Sequence, residues 1–510
     1  MERGWQPKPG DRIVRRPRIK HYRLRRVLGV PALFSAAYGN VGSSIYYALG
    51  IVALVAMGAT PVALAIAGIL FIFTALTYAE GTAMLPEAGG SASFARHAFN
   101  DLVGFFSGWA LMLSYIVTIS ISAYTISPYL GYFWAPLKDS PIVGTAISMV
   151  IILFLMIINV IGVRASSRIN ILATVLDVAT QLSIIIIGFL LIFKLSTLVG
   201  HMFGEGNWPP TMGQLIGGID NYWPSVGGLV FGIAIAALAF TGVETVSQMA
   251  EETRHPQVRA PRALILMTIV VLVMFAGISL VALSTMTPQE LGDPVAGWAR
   301  DPVAGIVASD LLPETLQTIY MPLVAVLAAT ILLIATNAGL LGISRLAFSL
   351  GVHRQMPAAL SRVHTQFRTP YISIILFCLI ALLILIPGFF PRFFEDGFFK
   401  SLGALYTFGA LLSFAFAHAS ILALRARKPD LPRPFKLGLN IKIKGCELPL
   451  TAVVGLVATL AIWVVIIVTQ DYSRNVGFGW MLVGLLAYYL YRRKANLSLT
   501  GVVPSSGRIH

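Results

Sequence analysis

Charged residues and cysteines are scarce in this chain. Only 12% of its 510 residues are charged, and its two cysteines are Cys378, in a long apolar run, and Cys446, in a polar loop. Cysteines so placed predict no disulfide framework. The sequence has no histidine cluster, nucleophile elbow or phosphate-binding glycine loop, so we expect a protein that is not an enzyme, with no cofactor and no metal site.

Long apolar runs are abundant. The chain is 57% hydrophobic, with a mean hydropathy of +0.80, and about 20 apolar residues suffice to cross a bilayer as a helix. We predict twelve membrane spans, called segments 1 to 12: Leu28–Val55, Pro61–Leu85, Leu102–Leu130, Val143–Ile161, Ile169–Phe193, Val226–Ala250, Ala263–Leu283, Thr318–Leu341, Tyr371–Pro387, Leu402–Leu424, Leu450–Val468 and Val476–Tyr491. No cleavable signal is expected before segment 1, because the basic stretch there is too long.

Basic residues are distributed unevenly between the two sides that twelve spans would create. If the N-terminus is cytoplasmic, 31 of the 37 lysines and arginines face the cytoplasm and 6 face the other side. This excess is the usual orientation signal of membrane proteins. It predicts cytoplasmic termini in the cell membrane, with residues 12–26 beside anionic lipid. Nucleic-acid binding is not expected despite the net charge of +15, since no binding fold accompanies it.

A polar, glycine-rich run interrupts segment 1 at residues 38–48, which read Tyr-Gly-Asn-Val-Gly-Ser-Ser-Ile-Tyr-Tyr-Ala. Glycine weakens a helix, and serine hydroxyls compete for its backbone hydrogen bonds. In a bilayer, irregular backbone is tolerated only inside protein or beside a wet cavity. We therefore predict a break at Gly42–Ser44 whose amides face an anion. The alternative is a small-residue face that packs on a neighbouring helix.

Segment 6 has a similar interruption at Thr241-Gly242-Val243-Glu244. Segments 1 and 6 begin the two five-helix halves of the first ten segments. Broken helices at matching positions point to a central site between inverted repeats. We predict an all-α integral membrane fold with a 5+5 inverted-repeat core, discontinuous helices 1 and 6, and two peripheral helices. The predicted regions are a basic N-terminal segment (1–27), the ten-helix core (28–424), a cytoplasmic loop (425–449), helices 11 and 12 (450–491) and a cytoplasmic tail (492–510).

Four motifs resemble the amino acid–polyamine–organocation (APC) superfamily of permeases. They are Pro86-Glu87-Ala88-Gly89-Gly90 with Phe94 after segment 2, Gly242-Val243-Glu244 with Pro256 and Pro261, Ser344-Arg345 with Pro357, and Pro429–Phe435. They follow the family's order and spacing over about Tyr38 to Phe435. The resemblance implies the fold of the sodium-coupled neurotransmitter transporters.

The same resemblance implies a substrate site. In the family, backbone amides of helix 1 bind the substrate carboxylate, and carbonyls of helices 1 and 6 bind its amino group, as helix-end dipoles allow. Carried over to this chain, the site residues are Gly42, Ser43, Ser44, Ile45, Ala239, Phe240, Thr241 and Gly242, with Phe240 as an aromatic gate. Ser44 replaces the second glycine of the family's Gly-Ser-Gly-Ile run, and its side chain narrows the space for the substrate carboxylate.

Three carboxylates lie within the segments: Glu80, Asp177 and Glu244. A charge in mid-membrane is costly, so each is a functional candidate. Glu80, near a segment end, is expected in a structural ion pair. Asp177 and Glu244 are candidates for proton or ion coupling, the alternative for Glu244 being a buried hydrogen-bonded strut. By resemblance, Asp177 stands where several permeases carry a lysine, and Glu244 where antiporters of arginine/agmatine and of putrescine or cadaverine carry a glutamate.

Polar residues elsewhere in the segments give weaker candidates. Thr118, Ser122 and Asn337 are possible lining residues of the site, and His418 is expected to be a core histidine. Two Asp-Pro pairs, at Asp293 and Asp301, predict short helices that cover the outer vestibule.

These features predict a secondary active transporter of amino acids, driven by protons or by exchange. Its partners are then an amino acid or amine, protons or another coupling ion, and membrane lipids. One alternative keeps the fold and changes the substrate to a polyamine or to potassium, because residues 38–44 also resemble Gly-Asp-Ile-Gly-Thr-Ser of potassium-uptake permeases. The alternative of another class is a nutrient sensor that binds without transporting.

Overall fold

Long helices make up nearly all of the structure. The computed structural model describes residues 26–162, 167–204, 222–294, 296–367, 369–390, 397–443 and 446–502. The basic residues 12–25 and the tail from 503 onward lie outside these ranges.

A helix occupies each predicted segment. The α-helices are Val30–Val41, Ile45–Ala56, Thr60–Met84, Ser91–Ala98, Asp101–Leu130, Pro136–Asp139, Pro141–Ile161, Ser167–Ile187, Leu195–Phe203, Val226–Ala236, Glu244–Gln248, Pro256–Thr285, Pro288–Gly292, Pro302–Val307, Glu314–Val352, Tyr371–Leu385, Phe398–Arg427, Leu450–Thr469 and Asp471–Lys494. Short 3₁₀ turns are Gly42–Ser44, Met57–Ala59, Ala237–Phe240, Ala250–Glu252, Ala358–Ser361 and Ile386–Phe389, and Gly188–Ile192 is a π turn.

Within the described residues, ten helical stretches are long and apolar enough to cross a membrane. One of them, residues 30–84, contains both segment 1 and segment 2, because the turn at Met57–Ala59 separates them without a loop. Segment 12, whose helix is Asp471–Lys494, is not among the ten. The structure is therefore all-helical apart from one small hairpin, and the twelve-span topology stays a prediction.

The core of the bundle is built around segment 3. Its helix, Asp101–Leu130, is buried along almost its whole length, whereas segment 4 keeps many large apolar side chains exposed, Phe154 among them at 57%. A helix buried on all sides belongs at the centre of a membrane bundle, and one with exposed apolar residues suits its lipid-facing edge.

Segment 12 is joined to segment 3 by a pair of tryptophans. The indoles of Trp109 and Trp480 stack at 4.4 Å, and each Nε1–H donates to the other residue's carbonyl, at 2.7 and 2.8 Å. Closer to the tail, Arg492 is fully buried and donates to Asp101 Oδ2 at 2.8 Å. Two separate contacts, Trp109 with Trp480 and Asp101 with Arg492, therefore join segment 12 to segment 3.

Glu80 has the structural role expected of it. It accepts two hydrogen bonds from Arg425, at 2.8 and 2.6 Å, and one from the Leu437 amide at 2.8 Å. The hairpin of strands Asn440–Ile443 and Cys446–Pro449 follows. The ion pair thus attaches the chain after segment 10 to the end of segment 2.

The chain between segments 7 and 8 forms the predicted cover, with one correction. The helix Pro302–Val307 begins directly after Asp301, as expected. The first short helix, however, is Pro288–Gly292, which starts at a Thr287–Glu290 capping box before the first Asp-Pro pair. Asp293 instead accepts a hydrogen bond from the Ala296 amide in a turn. Aspartate side chains commonly make such local bonds in turns, without starting a helix.

Candidate functional site

The interruption of segment 1 is a single tight turn. Gly42–Ser44 is a 3₁₀ turn between two α-helices, and Gly42 has φ −66° and ψ −29°, an ordinary right-handed helical conformation. Ile45 donates its amide to Gly42 and Ser43 carbonyls, so the chain remains helical throughout. The prediction of a non-helical break in segment 1 is therefore wrong, because the stretch is a 3₁₀ turn. A 3₁₀ turn inside a long helix is often a hinge, and here it lies at the expected residues.

Segment 6 is broken as predicted. Its first helix ends in the 3₁₀ turn Ala237–Phe240, Thr241 is extended at φ −82° and ψ 150°, and Gly242 has φ +116°. Only glycine adopts that φ readily. The helix resumes at Glu244, whose Oε2 accepts the Gly242 amide at 3.1 Å. The Glu244 carboxylate thus lies in the first turn of the second half of segment 6, where the helix dipole favours a negative charge.

The turn of segment 1 and the break of segment 6 lie against each other. Asn40 donates to Thr245 Oγ1 at 2.9 Å. A Cβ added to Gly242 would lie 2.9 Å from Asn40 Nδ2 and 2.9 Å from Val41 Cγ2. The structure therefore brings the two predicted groups of substrate residues together, with all eight buried.

Asp177 lies beside the turn of segment 1 and is fully buried. Its carboxylate accepts hydrogen bonds from Tyr38 at 2.9 Å, Tyr46 at 2.5 Å and Gln181 at 2.9 Å. These three donors are uncharged, so the carboxylate is solvated by hydroxyls and an amide. The sequence singled out Asp177 but not its partners, although tyrosines on both sides of Gly42 were a visible signal, since a buried Tyr hydroxyl needs a partner.

Glu244 has a different environment. Its Oε1 is buried without a hydrogen-bond partner among the described residues. The hydroxyl of Tyr115, a fully buried residue that interacts electrostatically with Glu244, likewise has no hydrogen-bond partner among the described residues. Buried polar atoms in proteins are normally paired. The Glu244 carboxylate and the Tyr115 hydroxyl are therefore suited to bind a polar or cationic ligand.

The remaining candidates are Thr118, Asn337 and Ser122, and they do not share one environment. Thr118 bonds the Ser114 carbonyl, and the Tyr406 hydroxyl faces Thr118 and Thr241, which places these side chains at the centre. Asn337 instead accepts from Asn159 at 2.7 Å, toward segment 4. Ser122 is fully buried, and its hydroxyl has no hydrogen-bond partner among the described residues.

Phe240 packs in an aromatic cluster. Its ring lies 5.3 Å from Phe71 and 5.0 Å from Phe275, centroid to centroid. It therefore contacts segments 2 and 7 from the end of the 3₁₀ turn. Its role as a gate stays a prediction.

The second half of segment 1 is covered by the chain between segments 7 and 8. Lys138 pairs with Asp301 at 2.7 Å and lies 3.9 Å from the Trp298 ring centroid. A Cβ on Gly50 would lie 2.2 Å from the Ala299 carbonyl oxygen, so the cover touches the helix directly. Burial raises the pKa of Asp301, against the effect of Lys138.

The glycine-rich loop after segment 2 closes the other end. Gly89 donates its amide to Gln248 Oε1 at 3.0 Å, and the Ala88 amide donates to Glu251 at 3.1 Å, so the loop is bonded to the second half of segment 6. Next to it, a hydrogen bond with His97 lowers the pKa of Glu87 to about 2.

Comparison with known proteins shows the family of this chain. Residues 28–490 match the family described as "Amino acid permease". The chain belongs to the amino acid permease family. Similar proteins include the branched-chain amino acid permease BcaP of Bacillus subtilis, at 26% identity over 92% of this chain and 94% of the relative. The methylthioribose transporter of the same organism is 26% identical over 90% and 91%. The large neutral amino acids transporter small subunit 2 of Oryctolagus cuniculus is 23% identical over 92% and 80%.

Membership explains the composition of this permease. Its apolar helices make it a multi-pass membrane protein of a transporter family. Segments 1 and 6 meet, through Asn40 and Thr245, at the place that the APC resemblance assigned to the substrate.

Proposed function

We propose that this permease moves neutral amino acids across the cell membrane through a site between the Gly42–Ser44 turn and the Thr241–Gly242 break, and that Asp177 couples transport to an ion gradient. The site would bind the substrate carboxylate at residues 42–45 and its amino group at residues 239–242. Support comes from the contacts of Asn40 and Val41, directly before the turn, with Gly242 and Thr245 at the break, and from the names of the relatives BcaP and the large neutral amino acids transporter.

One observation carries the coupling role: Asp177 is a fully buried carboxylate whose three hydrogen-bond partners are uncharged. A buried carboxylate without an ion-pair partner is costly as an anion. Exchange of a proton, or attraction of a cation, is therefore favoured during the transport cycle. We propose the proton, since the tyrosines already occupy the space around the carboxylate.

Reconstitution into liposomes tests the proposal. With an inward proton gradient, the wild-type protein is expected to accumulate labelled leucine, isoleucine or valine. Asp177→Asn is expected to lower accumulation about tenfold or more while retaining exchange of labelled for unlabelled substrate, because the neutral side chain carries no proton across. Accumulation by Asp177→Asn at the wild-type level would reject the coupling role.

Asp471→Asn is the matched control. Asp471 is the same residue type, but its side chain is 79% exposed at the start of segment 12 and pairs with Arg474. We expect this variant to accumulate substrate like the wild type.

Glu244 favours a second candidate substrate, a cationic amine. Its unpaired Oε1 among the described residues is a natural acceptor for an ammonium group. The same liposomes should therefore be tested with putrescine and cadaverine. Uptake of diamines that Glu244→Gln abolishes, without uptake of neutral amino acids, would favour this alternative. Methylthioribose belongs in the screen because a relative carries its name.

A further inference from the structure

The Asp177 carboxylate is bonded to both halves of segment 1. Tyr38 belongs to the helix Val30–Val41 and donates to Oδ2, whereas Tyr46 belongs to the helix Ile45–Ala56 and donates to Oδ1. The Gly42–Ser44 turn lies between the two tyrosines. One side chain from segment 5 thus bridges the turn, with one oxygen for each half.

Each half also has polar contacts of its own, among them the hydrogen bond from Asn40 of the first half to Thr245 of segment 6. On the first half, Ser35 and Thr174 share a hydrogen bond of 3.0 Å. On the second half, the Tyr129 hydroxyl donates to the Tyr46 carbonyl at 2.8 Å. The contact of Ser35 is with segment 5 and that of Tyr129 is with segment 3. The two halves are therefore attached to different neighbours, apart from the shared carboxylate.

The turn itself is a weak part of the helix. It contains glycine and two serines, and 3₁₀ hydrogen bonds have poorer geometry than α-helical ones. Hydrogen bonds to a carboxylate are roughly twice as strong as neutral ones, and exclusion of water strengthens them further. The two tyrosine–carboxylate bonds therefore outweigh the main-chain bonds of the turn in holding the two halves in line.

We infer that Tyr38 and Tyr46 are positioning residues that, through Asp177, keep the segment 1 turn closed, and that each half of segment 1 moves only when its own tyrosine leaves the carboxylate. We call Tyr38, Asp177 and Tyr46 the tyrosine clamp. Its importance for transport rests on the proposed function, because that function needs residues 42–45 to open toward substrate. The clamp itself joins segment 1 to segment 5, and its effect is measurable without substrate.

Two buried alanines report on the two halves separately. Ala37 lies in the first half and Ala48 in the second, and both are 0% exposed. Ala37→Cys and Ala48→Cys are placed singly in a protein whose Cys378 and Cys446 are replaced by alanine. The rate of labelling by N-ethylmaleimide in detergent then measures how often each half becomes exposed.

The clamp predicts a crossed pattern. Tyr38→Phe, which removes only the hydroxyl, is expected to raise labelling at position 37 about tenfold and to leave position 48 near the wild-type rate. Tyr46→Phe is expected to do the reverse. The size follows from loss of one hydrogen bond to a charged group. Asp177→Asn, whose amide has one acceptor oxygen in place of two, is expected to raise labelling at both positions.

Tyr320→Phe is the matched control. The Tyr320 hydroxyl donates to Ser183 at 3.0 Å and joins segment 8 to segment 5 away from Asp177. We expect it to change neither reporter. If Tyr38→Phe and Tyr46→Phe leave both rates unchanged, or raise both equally, the clamp is rejected. If either phenylalanine variant fails to fold, Asp177→Asn with the two reporters decides, and unchanged rates again reject it.

Failure of this inference and failure of the proposed function give different results. A crossed labelling pattern in a protein that takes up no amino acid rejects the proposed function and keeps the clamp. Proton-driven uptake in a protein with uniform labelling rejects the clamp and keeps the proposed function.

Discussion

At the scale of single residues, the buried ion pair of Glu80 and Arg425 gives the sharpest stability prediction. Both side chains are at most 2% exposed and are joined by two hydrogen bonds. Glu80→Gln leaves a buried guanidinium without its counter-charge, which costs about 3–5 kcal/mol, so we expect a clear fall in the thermal unfolding midpoint in detergent. Replacing both partners, Glu80→Met with Arg425→Leu, is expected to restore much of the loss. Equal midpoints for Glu80→Gln and the wild type would contradict this prediction.

Glu87 gives a prediction about the stability of the protein at acidic pH. A hydrogen bond with His97 lowers the pKa of Glu87 from its ordinary 4.5 to about 2 in the folded protein. A lowered folded pKa stabilises the protein above the ordinary value, and this stabilisation is lost as the pH falls from about 4.5 to about 2. Glu87→Gln should therefore remove part of the acid destabilisation seen in midpoints measured between pH 7 and 3. Both side chains are 31% exposed, so we expect a change below about 1 kcal/mol. Parallel pH curves for the two proteins would contradict it.

At the scale of helices, Gly242 is a position where both the backbone conformation and the close neighbours oppose a side chain. An added Cβ meets segment 1 at 2.9 Å, and the φ of +116° strains any other residue, typically by about 1–3 kcal/mol. We expect Gly242→Ala to reduce uptake in liposomes at least about tenfold. Gly479→Ala in segment 12 is the control, because nothing lies within 4 Å of its added Cβ. Equal uptake by the two variants would show that the break of segment 6 tolerates an ordinary residue.

The two interruptions show what sequence can predict about such helices. Glycine, serine and threonine in an apolar segment correctly indicated where segments 1 and 6 depart from α-helix. They did not reveal how, because glycine fits both outcomes: Gly42 has helical dihedrals, whereas Gly242 has a positive φ and lies against Asn40 and Val41. The outcome depends on packing between residues about two hundred positions apart, which no local pattern contains. The two tyrosine partners of Asp177, more than 130 residues away in the chain, were missed for the same reason.

At the scale of the whole molecule, segment 12 is attached directly to the ten-helix bundle. The sequence placed segments 11 and 12 outside the ten-helix core, and that division stays a prediction. The stacked pair of Trp109 and Trp480 and the buried pair of Asp101 and Arg492 join segment 12 to segment 3. Because segment 3 is buried along almost its whole length, we expect segment 12 to move with it as one rigid body.

The membrane topology remains to be tested, and two exposed leucines allow a test that does not depend on the total number of spans. Leu311, before segment 8, is 52% exposed, and Leu439, after segment 10, is 72% exposed. The helices Glu314–Val352, Tyr371–Leu385 and Phe398–Arg427 lie between them. Three crossings put two sites on opposite sides of a membrane. Leu311→Cys and Leu439→Cys, each in a protein with Cys378 and Cys446 replaced, should therefore react with a membrane-impermeant maleimide from opposite sides.

The distribution of basic residues fixes which side is which. The stretch from Arg425 to Lys444 holds seven lysines and arginines, and such clusters are retained in the cytoplasm. In intact cells we expect Leu311→Cys to be labelled and Leu439→Cys to be protected until the membrane is made permeable. The reverse result would place the termini outside. Labelling of both sites in intact cells would mean that one of the three helices does not cross, and segment 9, whose α-helix Tyr371–Leu385 is the shortest of the three, would be the first to reconsider.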